Sequence, residues 1–140
     1  MIKTPHLSVD GIVELYDENG RFQGIVLIER KNPPYGMAFP GGFVDIGESL
    51  GDALKREMKE EISLDVTISH LQGVYSEPAR DPRFHTVSAV FVCRAAGMPV
   101  AADDAKRVHV FSKKAAKEQV LVFDHAGIMS DYLEGKTGAF

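Results

Sequence analysis

Three glutamates, Glu57, Glu60 and Glu61, crowd the end of the stretch GGFVDIGESLGDALKREMKEEISL, residues 41–64. The pattern predicts a helix over residues 49–62, so the question is which way the carboxylates point. At roughly 100° per residue from Leu50, Leu54 and Met58 fall at about 40° and 80°, and Ala53 at about 300°. These form the core-facing stripe. Asp52, Lys55 and Lys59 fall at about 140–200°, on the solvated side. Glu57 lands at about 340° and Glu61 at about 20°, both inside the apolar arc and one turn apart. Glu60, at about 280°, borders it. A charge cluster on a helix is ordinarily a solvated face, and this placement argues against that reading. Like charges four residues apart repel, and burying them unpaired is costly. Arg56, at about 240°, can satisfy only one neighbour well. A divalent cation satisfies both, because carboxylate oxygens suit Mg²⁺ or Mn²⁺, with water and substrate phosphate completing the shell. The preceding Pro40-Gly41-Gly42 can bring a backbone carbonyl to the same place, since glycine puts no side chain in the way.

Other elements must position this helix. HLSVDGIVELYD alternates, with Leu7, Val9, Val13 and Leu15 on one face, and reads as a strand. Asn19-Gly20 in DENGR is a hairpin signal, and GIVLIER, residues 24–30, is a second, more buried strand. KNPPYGMAFPGG is too rich in Pro and Gly for a regular element. Strands are expected at 66–76, 86–95 and within RVHVFS. EPARDPRFH and AAGMPVAADDA read as loops. A short helix is expected near Lys113 to Glu118, and a last helix opens at Asp124, which reads as its N-cap. The class is mixed α/β, with helices packed on a sheet.

Composition sets the bounds. The 140 residues fit one domain, and with 44% hydrophobic and 26% charged residues the chain is not of disordered composition. A net charge of −4 without a polybasic block disfavours nucleic acid and anionic membrane as partners. One cysteine, Cys93, offers no disulfide framework, and a reducing cytoplasm is the expected compartment. The first residues, MIKTPHLSVD, show no signal-peptide apolar region, and no run approaches the roughly 20 apolar residues of a membrane span.

The spacing itself resembles a known signature. Gly42, Glu48, Arg56-Glu57, Met58, Glu60-Glu61 and Leu64 match the Nudix box G-x5-E-x7-R-E-U-x-E-E-x-G-U over residues 42–64, where U is apolar. One position departs, with Ser63 standing where the family has glycine. A glycine there would form a left-handed C-cap, and serine costs about 1 kcal/mol in that conformation. The resemblance implies one domain over residues 1–140 with an α/β/α sandwich, a mixed sheet and a loop-helix-loop motif. It implies metal-dependent hydrolysis of a nucleoside diphosphate linked to another group, in a homodimer. By position, Glu57 and Glu61 match metal ligands, Glu60 a metal-associated carboxylate and Gly41 the carbonyl donor. Arg56 and Glu48 match a pair that orients the ligands.

Substrate choice must come from elsewhere. DPRFHTVS, residues 81–88, resembles a segment of the ADP-ribose pyrophosphatases within this family, which implies cleavage of ADP-ribose to AMP and ribose 5-phosphate. Arg80 and Arg83 can grip phosphate or the terminal ribose, with Arg83 the expected selector. A salt-bridged Asp81–Arg83 loop is the competing reading. His85 can contact ligand or simply end a strand. Phe22, Tyr35 and Phe39 can stack on adenine or pack in the core. The general base is open between Asp103 and Asp104, with Glu57 and Glu60 as box alternatives and Glu77 and Asp81 behind them. Cys93 reads as core, and His6, His70, His109 and His125 lack zinc spacing. Two other functions stand beside this one: a housecleaning hydrolase of oxidised or noncanonical nucleoside triphosphates, and a non-catalytic ADP-ribose or nucleotide sensor. The intact Arg56, Glu57, Glu60 and Glu61 argue against the sensor.

Overall fold

The computed structural model describes residues 1–138. Seven strands form one mixed sheet: β1 His6–Tyr16, β2 Phe22–Arg30, β3 Met37–Ala38, β4 Gly41–Phe43, β5 Thr67–Tyr75, β6 Thr86–Ala96 and β7 Ala105–Phe111. The helices are α1 Leu50–Ile62, α2 Lys113–Lys117 and α3 His125–Leu133. β1 runs parallel to β6 along its whole length, and every other pairing between these strands is antiparallel. The other edge of β1 is shared: Ser8–Asp10 pair with β4, and Val13–Tyr16 pair with β2.

The period-2 geometry of the strands sorts the core into two layers. Val9 and Val13 of β1, Val26 and Ile28 of β2 and Cys93 of β6 pack with Ala53, Leu54, Met58 and Ile62 of α1. Ile12, Ile25, Leu27, Val90 and Val92 point the other way, onto Ala116 of α2 and Ile128 and Met129 of α3. This is the expected α/β/α sandwich. β1 departs from the reading of its alternation as one apolar face. Val9 to Val13 are all buried because helices cover both sides, and Leu7 is exposed. The Pro/Gly segment also holds structure that its composition hides, since β3 pairs with β2 and β4 with β1. Strands of two and three residues owe their existence to those partners rather than to their own pattern.

α1 begins where expected. Ser49 is its N-cap and accepts a hydrogen bond from the Asp52 N–H. It ends at Ser63, which takes the left-handed conformation, φ 61° and ψ 32°, that the missing glycine would have taken. The serine hydroxyl donates to the Val100 carbonyl at 3.1 Å, which offsets part of the strain.

Candidate active site

α1 turns its inward edge toward a cavity of about 240 Å³ at the end of the sheet. Glu61 is 4% exposed, as the helical angle required. Glu57 is half-buried, its side chain 15% exposed against 47% for Glu60. Glu57 and Glu61 line the cavity and Glu60 does not. Burial, with the charge of Glu57 second, pushes the Glu61 carboxyl up to about 8. Burial likewise raises Glu57, against the opposing pull of Arg56. Glu61 takes part in no ion pair among the described residues, and the Gly41 backbone N–H pulls against the rise only in part.

The double glycine makes this arrangement possible. Asp10 lies opposite Gly41, while Gly11 N–H donates to the Pro40 carbonyl and Val44 N–H to the Leu7 carbonyl. In an antiparallel pair that alternation leaves the N–H and C=O of Gly41 turned away from β1. A Cβ on Gly42 would lie 2.4 Å from the Glu57 carboxyl carbon, and one on Gly41 would lie 2.2 Å from the Val9 carbonyl oxygen. Any side chain at either position would displace the strand or the glutamate.

Arg56 ties the motif together. Its Nε and Nη2 donate to the two oxygens of Glu48 at 2.6 and 2.8 Å. Nη1 donates to Glu57 at 2.9 Å and to Glu60 at 3.2 Å, and Nη2 also reaches the Phe43 carbonyl. The guanidinium holds the Glu48 carboxyl down at about 2, and Glu48 in turn raises Arg56. Arg56 thus fixes the Glu57 rotamer from behind.

Among the described residues, no three Asp, Glu, His or Cys side chains converge as a ready-made metal cage. Two inward carboxylates and a backbone oxygen are nonetheless a hard, oxygen-only donor set, and the burial that raises the Glu61 carboxyl is the kind of cost a bound cation would offset. That set fits a divalent ion of the Mg²⁺ kind, which takes one or two protein carboxylates and keeps several waters.

The other expected residues divide. Arg80 and Arg83 line the cavity, and His85 does not, its Nε2 lying 3.0 Å from the Ser76 carbonyl. Arg80 is buried and bound through Nε and Nη2 to both oxygens of Asp124, at 2.9 and 2.7 Å. Asp124 holds the N-cap position of α3 as expected, but its side chain makes no cap hydrogen bond and is engaged by Arg80 instead. Arg83 binds both oxygens of Asp81, so the salt-bridged loop is realised. Its guanidinium also stacks on Phe43, Phe84 and Phe123. Asp104 lines the cavity, held by Asn32 Nδ2 at 3.1 Å. Asp103 is not on the cavity wall and takes a positive φ of 47°. Phe39 is buried at the cavity floor, whereas Phe22 and Tyr35 are exposed and lie off the cavity wall.

Asp10, His125 and Arg30 are among the lining residues that the sequence did not assign to the site. Asp10 is buried, accepts from the Ser88 hydroxyl, and is pushed up to about 6 by burial. A lone aspartate inside the apolar run LSVDGIV was the signal for it. His125 is buried, its Nδ1 accepts from Phe39 N–H at 3.1 Å, and burial depresses its titration to about 3. A neutral ring with the proton on Nε2 follows. Arg30, at the end of β2, is the third.

The NUDIX domain model matches residues 5–132. The chain is 42% identical, over 137 residues, to an ADP-ribose pyrophosphatase of Methanocaldococcus jannaschii, covering 96% of this chain and 76% of that one. It is 43% identical over 56 residues to a putative 8-oxo-dGTP diphosphatase of Bacillus subtilis, covering 40% of this chain and 37% of that one. Among solved structures, a bifunctional NMN adenylyltransferase/ADP ribose pyrophosphatase of Francisella tularensis, complexed with AMP and a manganese ion, superposes with a TM-score of 0.77 at 26% identity. The match covers 96% of this chain and 42% of that protein.

Proposed function

The chain belongs to the NUDIX family, and from that membership we propose that it hydrolyses the diphosphate of ADP-ribose to AMP and ribose 5-phosphate. The observation that carries the chemistry is the buried Glu61, one helical turn from Glu57 beside Gly41-Gly42 and in no ion pair among the described residues. The substrate reading is supported by the archaeal relative named ADP-ribose pyrophosphatase, which the chain matches over nearly its whole length.

Glu57, Glu61 and the Gly41 carbonyl would hold Mg²⁺, with Mn²⁺ able to substitute. When bound, such an ion supplies Lewis-acid polarisation of the diphosphate and a water acidic enough to attack near neutral pH. The chain's own residues do the rest. Arg56, itself fixed by Glu48, keeps Glu57 in its ligating rotamer, as outer partners of metal ligands do. Glu60, bound to Arg56 on the solvated side, neutralises that guanidinium and adds negative charge beside the ligands. Asp104 faces the cavity and is assigned proton acceptance in preference to Asp103. Arg80, locked by Asp124, orders the loop that carries Arg83 to the cavity wall. His85 then serves the loop's structure by way of Ser76.

A homodimer in the cytoplasm belongs to the same proposal. The dimer rests on the family resemblance and the compartment on the lone, buried cysteine; among the described residues no helix is long and apolar enough to cross a membrane. A second reading, hydrolysis of oxidised nucleoside triphosphates, draws on the Bacillus relative, whose match spans only 40% of this chain. Turnover of ADP-ribose, NADH, nucleotide sugars and 8-oxo-dGTP, each with Mg²⁺ and with chelator, tests the proposal. It requires ADP-ribose to lead and every rate to vanish with chelator.

A further inference from the structure

Phe39 and Pro40 carry the chain from β3, which lies on β2, to β4, which lies on β1, and they belong to neither strand. Two hydrogen bonds fix this crossing. Gly11 N–H donates to the Pro40 carbonyl at 2.9 Å. Phe39 N–H, on a residue only 2% exposed, donates to Nδ1 of His125 at 3.1 Å. Proline has no N–H, so the Phe39 amide is the last backbone donor before Gly41. His125 opens α3, on the opposite face of the sheet from α1. Its ring packs against Phe39 and Phe123, with centroids 5.2 and 5.3 Å away. Its Nε2 lies 4.0 Å from Asp10 Oδ2. Asp10 accepts from the Ser88 hydroxyl and sits against Gly41, where a Cβ would collide with its Oδ1. Both ring nitrogens therefore address the strand that carries Gly41, one through the backbone and one by way of Asp10.

Resting on the reading that the Gly41 carbonyl helps to hold a divalent ion, we propose that His125 is a positioning residue for that ion: by holding the Phe39 N–H, its Nδ1 sets the direction of the Gly41 carbonyl and so tunes the metal affinity of a site otherwise built on α1. Gly41 and Gly42 give the backbone no side chain to hold it in place, so their freedom must be removed from outside. An ion of the Mg²⁺ kind demands near-ideal octahedral geometry, and a small turn of the Gly41 peptide therefore costs affinity. A neutral imidazole suits the task, because Nδ1 can accept from the backbone while the Nε2–H faces Asp10. Metal affinity on the α1 side of the sheet is thus set in part by a side chain of α3.

Asparagine at position 125 can present its Oδ1 where Nδ1 stood, whereas glutamine reaches toward the Nε2 position. Both lose the packing of the ring, so comparing them isolates the bond to Phe39. Mn²⁺, followed by the electron paramagnetic resonance of the free ion, is titrated into the whole protein as wild type, His125→Asn, His125→Gln and the control His70→Gln, an exposed histidine of β5. His125→Gln should weaken Mn²⁺ about ten- to a hundredfold, the usual scale for losing a partner that orients a metal ligand. His125→Asn should keep most of the wild-type affinity and His70→Gln all of it. In turnover, excess Mg²⁺ should restore kcat to His125→Gln, with KM for ADP-ribose little changed. Linkage requires metal to strengthen a bond that strengthens metal binding. The Phe39 amide proton of wild type should therefore exchange more slowly in Mg²⁺ than in chelator, and this decides the matter if His125→Gln does not fold. Equal Mn²⁺ affinity in the two His125 variants, or a Phe39 amide indifferent to Mg²⁺, would overturn the proposal and leave the metal-dependent reaction standing. A larger loss in His125→Asn, with a raised KM for ADP-ribose, would overturn it by making the ring a substrate contact. A wild type that binds no Mn²⁺ would sink the metal reading and the proposal together. Loss of Mn²⁺ on His125→Gln in a protein that ignores ADP-ribose would sink the substrate reading and leave the positioning role intact.

Discussion

Replacing Glu61 with glutamine removes one charge and almost no volume from a site that is 4% exposed. In the metal-free protein that charge is a liability. A carboxyl raised from an ordinary 4.5 to about 8 costs the fold nothing below pH 4.5. The penalty grows between pH 4.5 and 8 and is complete above 8. At about 1.4 kcal/mol per unit, the penalty reaches roughly 3 kcal/mol at pH 7. Part of it persists in Glu61→Gln, whose amide must find new partners, so a gain of about 1–3 kcal/mol is expected. For a chain of this size that is roughly 3–10 °C in Tm, read by thermal melting in chelator. The gain should shrink toward zero at pH 4.5, where wild-type Glu61 is protonated. Added Mg²⁺ should raise the wild-type Tm and leave the variant nearly unmoved. The same variant should lose orders of magnitude in turnover. A metal-free variant less stable than wild type at pH 8, together with a wild-type rate, would refute the reasoning and return Glu61 to the role of a buried structural group.

Asp124→Ala should cost about 3–5 kcal/mol in denaturant unfolding, because it strands the buried Arg80 guanidinium without its partner; a loss under 1 kcal/mol would contradict the clamp. His125 should stay neutral in the folded protein. Its stability contribution is complete above its ordinary pKa of 6.5 and is lost as pH falls from there toward about 3. Imidazole NMR shifts should therefore stay flat from pH 8 to 4.5, and a midpoint near 6.5 would be fatal. Ser63→Ala should cost about 1 kcal/mol by losing the bond to Val100, whereas Ser63→Gly should be within about 1 kcal/mol of wild type, since relief of the left-handed strain offsets the lost bond. Melting of both variants checks the pair.

Much of this site was legible because a helix writes its faces into the sequence. The 3.6-residue period placed Glu57 and Glu61 on the buried side of α1 and Glu60 at its edge, and the box residues added Arg56 and Glu48 to the same motif. The longer strands were also plain, since β1, β2 and β6 carry their own apolar patterns. What stayed hidden depends on partners far along the chain. β3 and β4 are strands only because β2 and β1 pair with them. Asp124 sits at the N-cap of α3 as its local pattern says, but its side chain serves Arg80, 44 residues away, which no local pattern shows. Arg30 looks like the polar end of an apolar strand. Its place on the cavity wall depends on how β2 meets the rest of the sheet, which no local pattern can express.

The account stands on ADP-ribose being the preferred substrate of a metal site built on Glu57 and Glu61. The most direct test follows AMP and ribose 5-phosphate by mass spectrometry, with ADP-ribose and 8-oxo-dGTP offered at equal concentration to one enzyme sample in Mg²⁺. ADP-ribose should be consumed first, with equimolar AMP and ribose 5-phosphate, and neither substrate should give product in chelator or with Glu61→Gln. Faster loss of 8-oxo-dGTP, or undiminished AMP production in chelator, would contradict it.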